Sequence, residues 1–280
     1  MNQQIYQVDA FTNRPFAGNP AAVCVLDGPG DVAWMRAVAG EMNLSETAFL
    51  HPESQPEGVG GGDGYRLRWF TPAVEEELCG HATLASAHIL WSEGHVPVGQ
   101  TIRFFSRSGL LTAVRQGDWI ELDFPALPET PQPPQPGMLA ALGIAPASVR
   151  HFGRSHLDYI VEVASAQVVR ELTPDFGRLR GIDARGIIVT AVDDGASAQP
   201  GEFDFISRFF APADGIDEDP VTGSAHCCLA PFWASRLHKT EMLAYQASAR
   251  GGEVRVRLAG DRVKLLGQAV TVLRGTLLDG

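Results

Sequence analysis

Leu67-Arg68-Trp69-Phe70-Thr71-Pro72 and Ser207-Arg208-Phe209-Phe210-Ala211-Pro212 read as two versions of one segment, 140 positions apart. After a loop in each, the offset becomes 143 and holds. Gly80-His81-Ala82 aligns with Gly223-Ser224-Ala225, Ala87 with Ala230, Gly109 with Gly252, and Gly117-Asp118 with Gly260-Asp261. The alternating Ile120 and Leu122 align with Val263 and Leu265. A single match of this kind arises by chance between two αβ stretches. A register kept over about 40 residues, with glycines in place, points to duplication of one structural unit.

The local patterns agree with that reading. Residues 66–70 and 205–210 alternate or run apolar, as strands do. An acidic loop follows each, Glu75-Glu76-Glu77 and Asp217-Glu218-Asp219. Next comes a helix of small and apolar residues, 82–91 and 225–235, whose composition suits burial on all sides. Strands are expected at 102–105, 110–115 and 119–124, and again at 242–248, 253–258 and 262–266. The turns Gln116-Gly117-Asp118 and Ala259-Gly260-Asp261 suit hairpins. The fold class expected is therefore α+β: two pseudo-symmetric lobes, each a curved β-sheet or barrel wrapped around a central helix. A proline-rich stretch from Pro125 to Pro136 should run extended between them. This sets an N-terminal lobe at 1–126, a linker at 127–136 and a C-terminal lobe at 137–267. Residues 58–64, rich in glycine, are expected to form a loop, and 150–158 a second loop that shapes the pocket.

Composition narrows the function classes. The chain has 280 residues, 45% hydrophobic and 20% charged, enough apolar material for a packed core. Its apolar runs, such as 21–26 and 227–233, fall far short of the ~20 residues a bilayer needs. The formal net charge of −11 argues against nucleic acid and anionic membrane as partners, without forbidding a small anion at a local site. The four cysteines, Cys24, Cys79, Cys227 and Cys228, form no C-x-x-C pair, which argues against a disulfide framework or thiolate metal centre. The N-terminus carries no basic region followed by an apolar stretch, so a reduced, cytoplasmic setting is expected. No G-x-G-x-x-G, Walker A or G-x-S-x-G pattern is present, so nucleotide cofactors and serine hydrolysis lose their usual warrants.

Both buried helices begin at a glycine, Gly80 and Gly223. A helix N-terminus offers unpaired N–H groups and partial positive charge, suited to a carboxylate, and glycine allows close approach. If a pseudo-two-fold axis relates the halves, both N-termini face one cleft. Taken singly, each glycine is more simply read as permitting a tight helix start. Glu46 follows a helical stretch at 34–42 and precedes an apolar strand at 47–50. Burial there would raise its pKa toward neutrality and make it an acid/base group, although a cap or surface carboxylate is the plainer reading. His81 could carry a proton or simply sit in the cap region. Asp219, four residues before Gly223, could act in the site or only complement the helix dipole. Cys79 at a helix N-terminus could be an activated thiol. The repeat places no partner thiol at 220–222, so a two-thiol racemase lacks its second member.

At these residues the sequence becomes recognisable. Val8-Asp9-Ala10-Phe11, Pro15-Phe16-Ala17-Gly18-Asn19-Pro20-Ala21-Ala22-Val23, Asn43-Leu44-Ser45-Glu46-Thr47, Cys79-Gly80-His81-Ala82-Thr83 and Glu218-Asp219-Pro220-Val221-Thr222-Gly223-Ser224-Ala225 together resemble the PhzF-like family, in order and over nearly the whole chain. This is the isomerase family of phenazine biosynthesis, related in fold to diaminopimelate epimerase. The resemblance implies an isomerase acting without cofactor or metal on a small carboxylate in the cleft, in a homodimer. It puts the catalytic glutamate on Glu46, the histidine on His81 and the aspartate on Asp219. Asn19, Gly80, Gly223 and Ser224 then fall on substrate-binding positions. It also implies that the final segment, 268–280, returns to complete the N-terminal lobe, and that Cys79 is dispensable. Two alternatives stay open: a thiol-assisted racemase or epimerase of an amino or hydroxy acid using Cys79, and a non-catalytic small-anion-binding protein on the same scaffold.

Overall fold

The computed structural model describes residues 3–55, 62–156, 158–195 and 203–278. The chain divides into two units, Met1–Phe124 with Leu266–Gly280 and Pro125–Leu265.

Unit 1 begins with β1 (Gln3–Ala10), β2 (Asn19–Val25), α1 (Val32–Met42), β3 (Glu46–Gln55) and β4 (Gly62–Phe70). It continues through β5 (Glu75–Glu76), α2 (Gly80–Ser92), β6 (Ile102–Ser106), β7 (Gly109–Gln116) and β8 (Trp119–Pro125). The last strand of the chain, Ala269–Leu277, pairs antiparallel with β1 inside the same unit. From there the sheet runs β1 antiparallel to β2, β2 parallel to β3, β3 antiparallel to β4, β4 parallel to β6, and β6, β7 and β8 antiparallel in turn. Each parallel pair requires a crossover, and the helices supply it: α1 between β2 and β3, α2 between β4 and β6. All but two of the thirteen residues of α2 are buried. It touches β1, β2, β3 and the last strand, so the sheet curls around it. Its composition makes that possible. Alanines let the strands approach, and the buried Thr83 and Ser86 hydroxyls donate back to the Cys79 and Ala82 carbonyls. On the other face, Met35, Val38 and Ala39 of α1 cover Cys24, Phe49 and Phe70. With helices on both sides, Ala21-Ala22-Val23-Cys24 is fully buried and reads as a continuous apolar run.

Unit 2 contains β9 (Thr130–Pro131), α3 (Met138–Leu142), β10 (Val149–Arg154), β11 (Asp158–Val163), α4 (Ala166–Arg170), α5 (Phe176–Leu179) and β12 (Gly186–Val192). Then follow β13 (Phe205–Ala211), β14 (Ile216–Asp219), α6 (Gly223–Leu237), β15 (Glu241–Gln246), β16 (Gly252–Ala259) and β17 (Arg262–Gly267). The pairing sequence of unit 1 recurs here. β10 is antiparallel to β11, β11 parallel to β12, β12 antiparallel to β13, β13 parallel to β15 and β15 antiparallel to β16. The crossovers are α4 with α5, and then α6. The units thus share one plan, including their first halves, where no repeat is visible in the sequence.

The two acidic stretches are short strands rather than loops. Glu75 and Glu76 pair with Phe70 and Trp69, and Asp219 pairs with Phe209. The cause is an ion pair repeated at equivalent positions. Arg68 clamps Glu75 through two bonds of 2.7 and 2.8 Å, and Arg208 clamps Glu218 through two of the same lengths. Each guanidinium also lies over the phenylalanine two residues on, 5.1 Å from the Phe70 centroid and 5.0 Å from that of Phe210. The expected loop at 58–64 is only partly tested: residues 58–61 lie outside the described residues, and 62–64 open strand β4. The expected loop at 150–158 is mostly β10, which runs to Arg154, and Asp158 opens β11; residue 157 lies outside the described residues. Among the described residues no helix is long and apolar enough to cross a membrane.

Candidate active site

Three local features of unit 1 converge. Strands β2 and β3 are parallel, so both start at the same end of the sheet, and their first residues are Asn19 and Glu46. Helix α2 presents its own start there, with Cys79 as an extended N-cap at φ −139° and Gly80-His81 as the first turn. Nε2 of His81 lies 3.1 Å from Oε2 of Glu46, a close contact whose geometry is not that of a straight hydrogen bond. On the other side of the ring the Asn19 amide donates to Nδ1 at 3.2 Å, and Cys79 Sγ sits 3.6 Å from the same nitrogen. With Nδ1 accepting, the ring proton rests on Nε2, facing the carboxylate. His81 is 4% exposed and Asn19 fully buried, whereas the Glu46 side chain is 13% exposed. The carboxylate is therefore the member of the group that reaches solvent.

The loop before Asn19 is tightly held. The buried Asp9 carboxylate accepts the Phe16 N–H at 2.7 Å, and Phe16 has φ +66°, rare for a side-chain-bearing residue. Gly18 has φ +63°, and a Cβ there would stand 2.1 Å from the Ala10 carbonyl oxygen. Only glycine fits, and its turn delivers Asn19 to the histidine.

The electrostatics of the group keep the thiol neutral and act on the histidine in opposing directions. Burial by itself pulls the His81 imidazolium down, and the Glu46 carboxylate beside it pushes it up; a further upward push from Cys79 would need a thiolate there. Burial, with the Glu46 charge adding to it, pushes the Cys79 thiol up to about 11. Such a thiol is protonated at neutral pH, which removes the reason to expect it as a base. The donor atoms of Glu46, Cys79 and His81 lie within 4.8 Å of one another. However, the carboxylate approaches Nε2 and the thiol Nδ1. The carboxylate and the thiol thus meet different ring nitrogens rather than sharing one.

The other predicted residues belong to unit 2. Asp219 ends β14, 7% exposed, and accepts a hydrogen bond from the Thr222 hydroxyl. Gln246, fully buried on β15, ties this corner together. Its side-chain oxygen accepts the Thr222 N–H at 2.9 Å, and its amide donates to the Asp219 carbonyl at 2.8 Å. His226, one turn into α6, faces the Thr222 carbonyl with Nδ1 at 2.8 Å. Gly223 is buried at the first position of α6, and the Ser224 hydroxyl accepts from Arg185 Nη2 at 3.0 Å. Arg185 in turn holds the buried Asp158 through two bonds, of 2.9 and 2.6 Å. Burial raises the Asp158 carboxyl, and Arg185 opposes that rise.

A family model described as phenazine biosynthesis-like protein (PhzC-PhzF) matches residues 8–275. The chain belongs to that family. An uncharacterized isomerase of Halalkalibacterium halodurans is 56% identical over 279 residues, 99% of each chain. The crystal structure of a PhzF-family phenazine biosynthesis protein from Enterococcus faecalis superposes with a TM-score of 0.86 at 39% identity, covering 99% of this chain and 100% of that one. A hydroxyproline epimerase from Agrobacterium vitis shares the fold alone, with a TM-score of 0.64 at 11% identity over 99% of this chain and 92% of that one. The fold is thus the α+β diaminopimelate epimerase type, and membership of the phenazine biosynthesis-like family places the chain among isomerases.

The family motifs do not contain Gln246, His226, Arg185 or Asp158. Asp158 and Arg185 are distant in sequence, and only the parallel register of β11 with β12, which pairs Asp158 with Gly186, makes them neighbours. No sequence spacing announces that pair.

Proposed function

We propose that this chain is a cofactor-independent isomerase that moves a proton between carbons of a small unsaturated or activated carboxylic acid, with Glu46 as the general acid/base. The observation that carries the reading is the 3.1 Å approach of Glu46 to His81, with Asn19 behind the ring. In the forward step the Glu46 carboxylate takes a proton from a carbon made acidic by conjugation. The electron pair left behind spreads into the π-system of the acid. The now protonated Glu46 returns its proton to a different carbon of that system, so no atoms or electrons are gained or lost.

His81 faces Glu46 with an N–H and, when charged, favours the ionised carboxylate that begins each cycle. Gly80 and the first turn of α2 offer backbone N–H groups to the substrate carboxylate, with Asn19 next to them. For unit 2, the family resemblance assigns Asp219 to proton movement and Gly223 with Ser224 to carboxylate binding. Arg185 on the Ser224 hydroxyl supports the latter assignment, because it brings a cation to that end of α6. The same reading has the protein working in the cytoplasm as a homodimer, which light scattering after gel filtration checks.

The test is incubation with a panel of small carboxylic acids in D2O, followed by proton NMR. Uptake of deuterium at carbon by one member supports the reading and names the exchanged position. No exchange across the panel contradicts it and favours a non-catalytic binder of small anions.

A further inference from the structure

A cavity lies across the sheet from the Glu46–His81 pair. Glu46 and Phe49 are three residues apart on β3 and so project to opposite faces. Glu46 meets His81 of α2, whereas Phe49 packs with Met35 under α1. On that α1 face a cavity of about 350 Å3 is lined by the apolar Leu26, Met35 and Phe49 and by the charged Arg66, Arg68, Arg107, Glu53 and Glu75. The volume falls at the small end of the range for ligand sites.

The charge in this cavity runs against the rest of the chain. Arg66 is engaged by Glu53 at 2.6 and 2.8 Å, and Arg68 by Glu75 at 2.7 and 2.8 Å. Arg107 is the third cation, and it meets the already shared Glu75, 2.8 Å from its Nη2. Three guanidinium groups thus face two carboxylates. The Arg107 side chain is 57% exposed while Glu75 is 6% exposed, so the surplus positive charge is the part that faces solvent. In a chain of net charge −11 this is a local reversal, set directly beside an apolar wall. Planar guanidinium donors suit a carboxylate, and the apolar wall suits the body of an organic acid.

We propose that this cavity is a second binding site, separate from the Glu46 pair, for a small organic monocarboxylate with an apolar body. Its charged end pairs with Arg107, and its body lies against Leu26, Met35 and Phe49. The proposal does not depend on the catalytic reading, because no residue of the cavity belongs to the proton-transfer group.

Titration of 15N-labelled protein with benzoate, and separately with inorganic phosphate, at low ionic strength tests it. The variant Glu46→Gln serves as background to disable the catalytic pair. Benzoate should shift the backbone amides of Gly30, His51, Arg66, Arg68 and Arg107, and bind more tightly than phosphate. Arg107→Ala should weaken benzoate by roughly tenfold, and Arg107→Lys should recover part of the loss. Shifts confined to Asn19, Glu46 and Gly80-His81 would overturn the proposal. So would an affinity unchanged in Arg107→Ala, or phosphate binding as tightly as benzoate.

Discussion

Replacing His226 by phenylalanine should make the protein less stable at pH 7.5 and more stable than wild type at pH 5. His226 is fully buried in α6, tilted against Phe205 at a centroid distance of 6.2 Å, with Nδ1 on the Thr222 carbonyl. Burial pushes its imidazolium down to about 4, with the Thr222 carbonyl opposing. An unfolded histidine titrates near ~6.5. Between the folded and unfolded values the unfolded chain binds a proton that the folded chain refuses, so stability rises with pH through this window and is lost on acidification. Integrated over the shift, the loss is about 2 kcal/mol by pH 5 and about 3 kcal/mol by pH 4. Phenylalanine keeps the ring contact and abolishes the titration, but gives up one hydrogen bond, about 1 kcal/mol. The variant should therefore trail wild type by about 1 kcal/mol at pH 7.5 and lead it by about 1 kcal/mol at pH 5. Urea unfolding followed by tryptophan fluorescence at both pH values measures this, since Trp233 stacks on Phe205 in the same packing group. A stability difference that stays constant between the two pH values would refute the reasoning.

Other changes follow from the same geometry. Cys79→Ala should keep activity within about threefold, because a thiol pushed up to about 11 is protonated at neutral pH. A loss of a hundredfold or more would instead support the thiol-assisted racemase. Gly18→Ala should lower the melting temperature by more than about 5 °C, since its Cβ would meet the Ala10 oxygen at a positive φ. An unchanged melt would mean that this turn is looser than the contacts imply. Asn19→Leu should reduce kcat by roughly 10–100-fold and shift the pH–rate profile, because the ring loses the donor that fixes its tautomer. A lower rate with an unmoved profile would mark Asn19 as only structural.

The parts legible in the sequence were those with a local signature. The segment at 67–72 and the glycine-led helices announced the second half of each unit, because small residues and hairpin turns are readable over a few positions. The first half of unit 2 was not readable. Its crossover is made by two short helices, α4 and α5, where unit 1 uses the single helix α1, and no register survives that difference. The acidic stretches look like loops in the sequence for a similar reason. What makes them strands is an arginine seven or ten residues earlier, Arg68 for Glu75 and Arg208 for Glu218, and a pairing across a turn has no spacing rule. In the candidate site, Glu46, His81 and Asn19 were found through their motifs. That they form one group depends on β2 and β3 being parallel and beginning at one edge. Gln246 and Arg185, which brace the start of α6, follow from strand register alone.

The central claim is that Glu46 carries the proton. Once an acid from the panel exchanges, the decisive measurement is the rate of deuterium uptake at its reacting carbon by wild type and by Glu46→Gln at equal concentration. Exchange in the variant should fall by at least 10²–10⁴-fold, the range for loss of a general acid/base, with the folded structure retained by circular dichroism. Near-wild-type exchange in a folded Glu46→Gln would contradict the account.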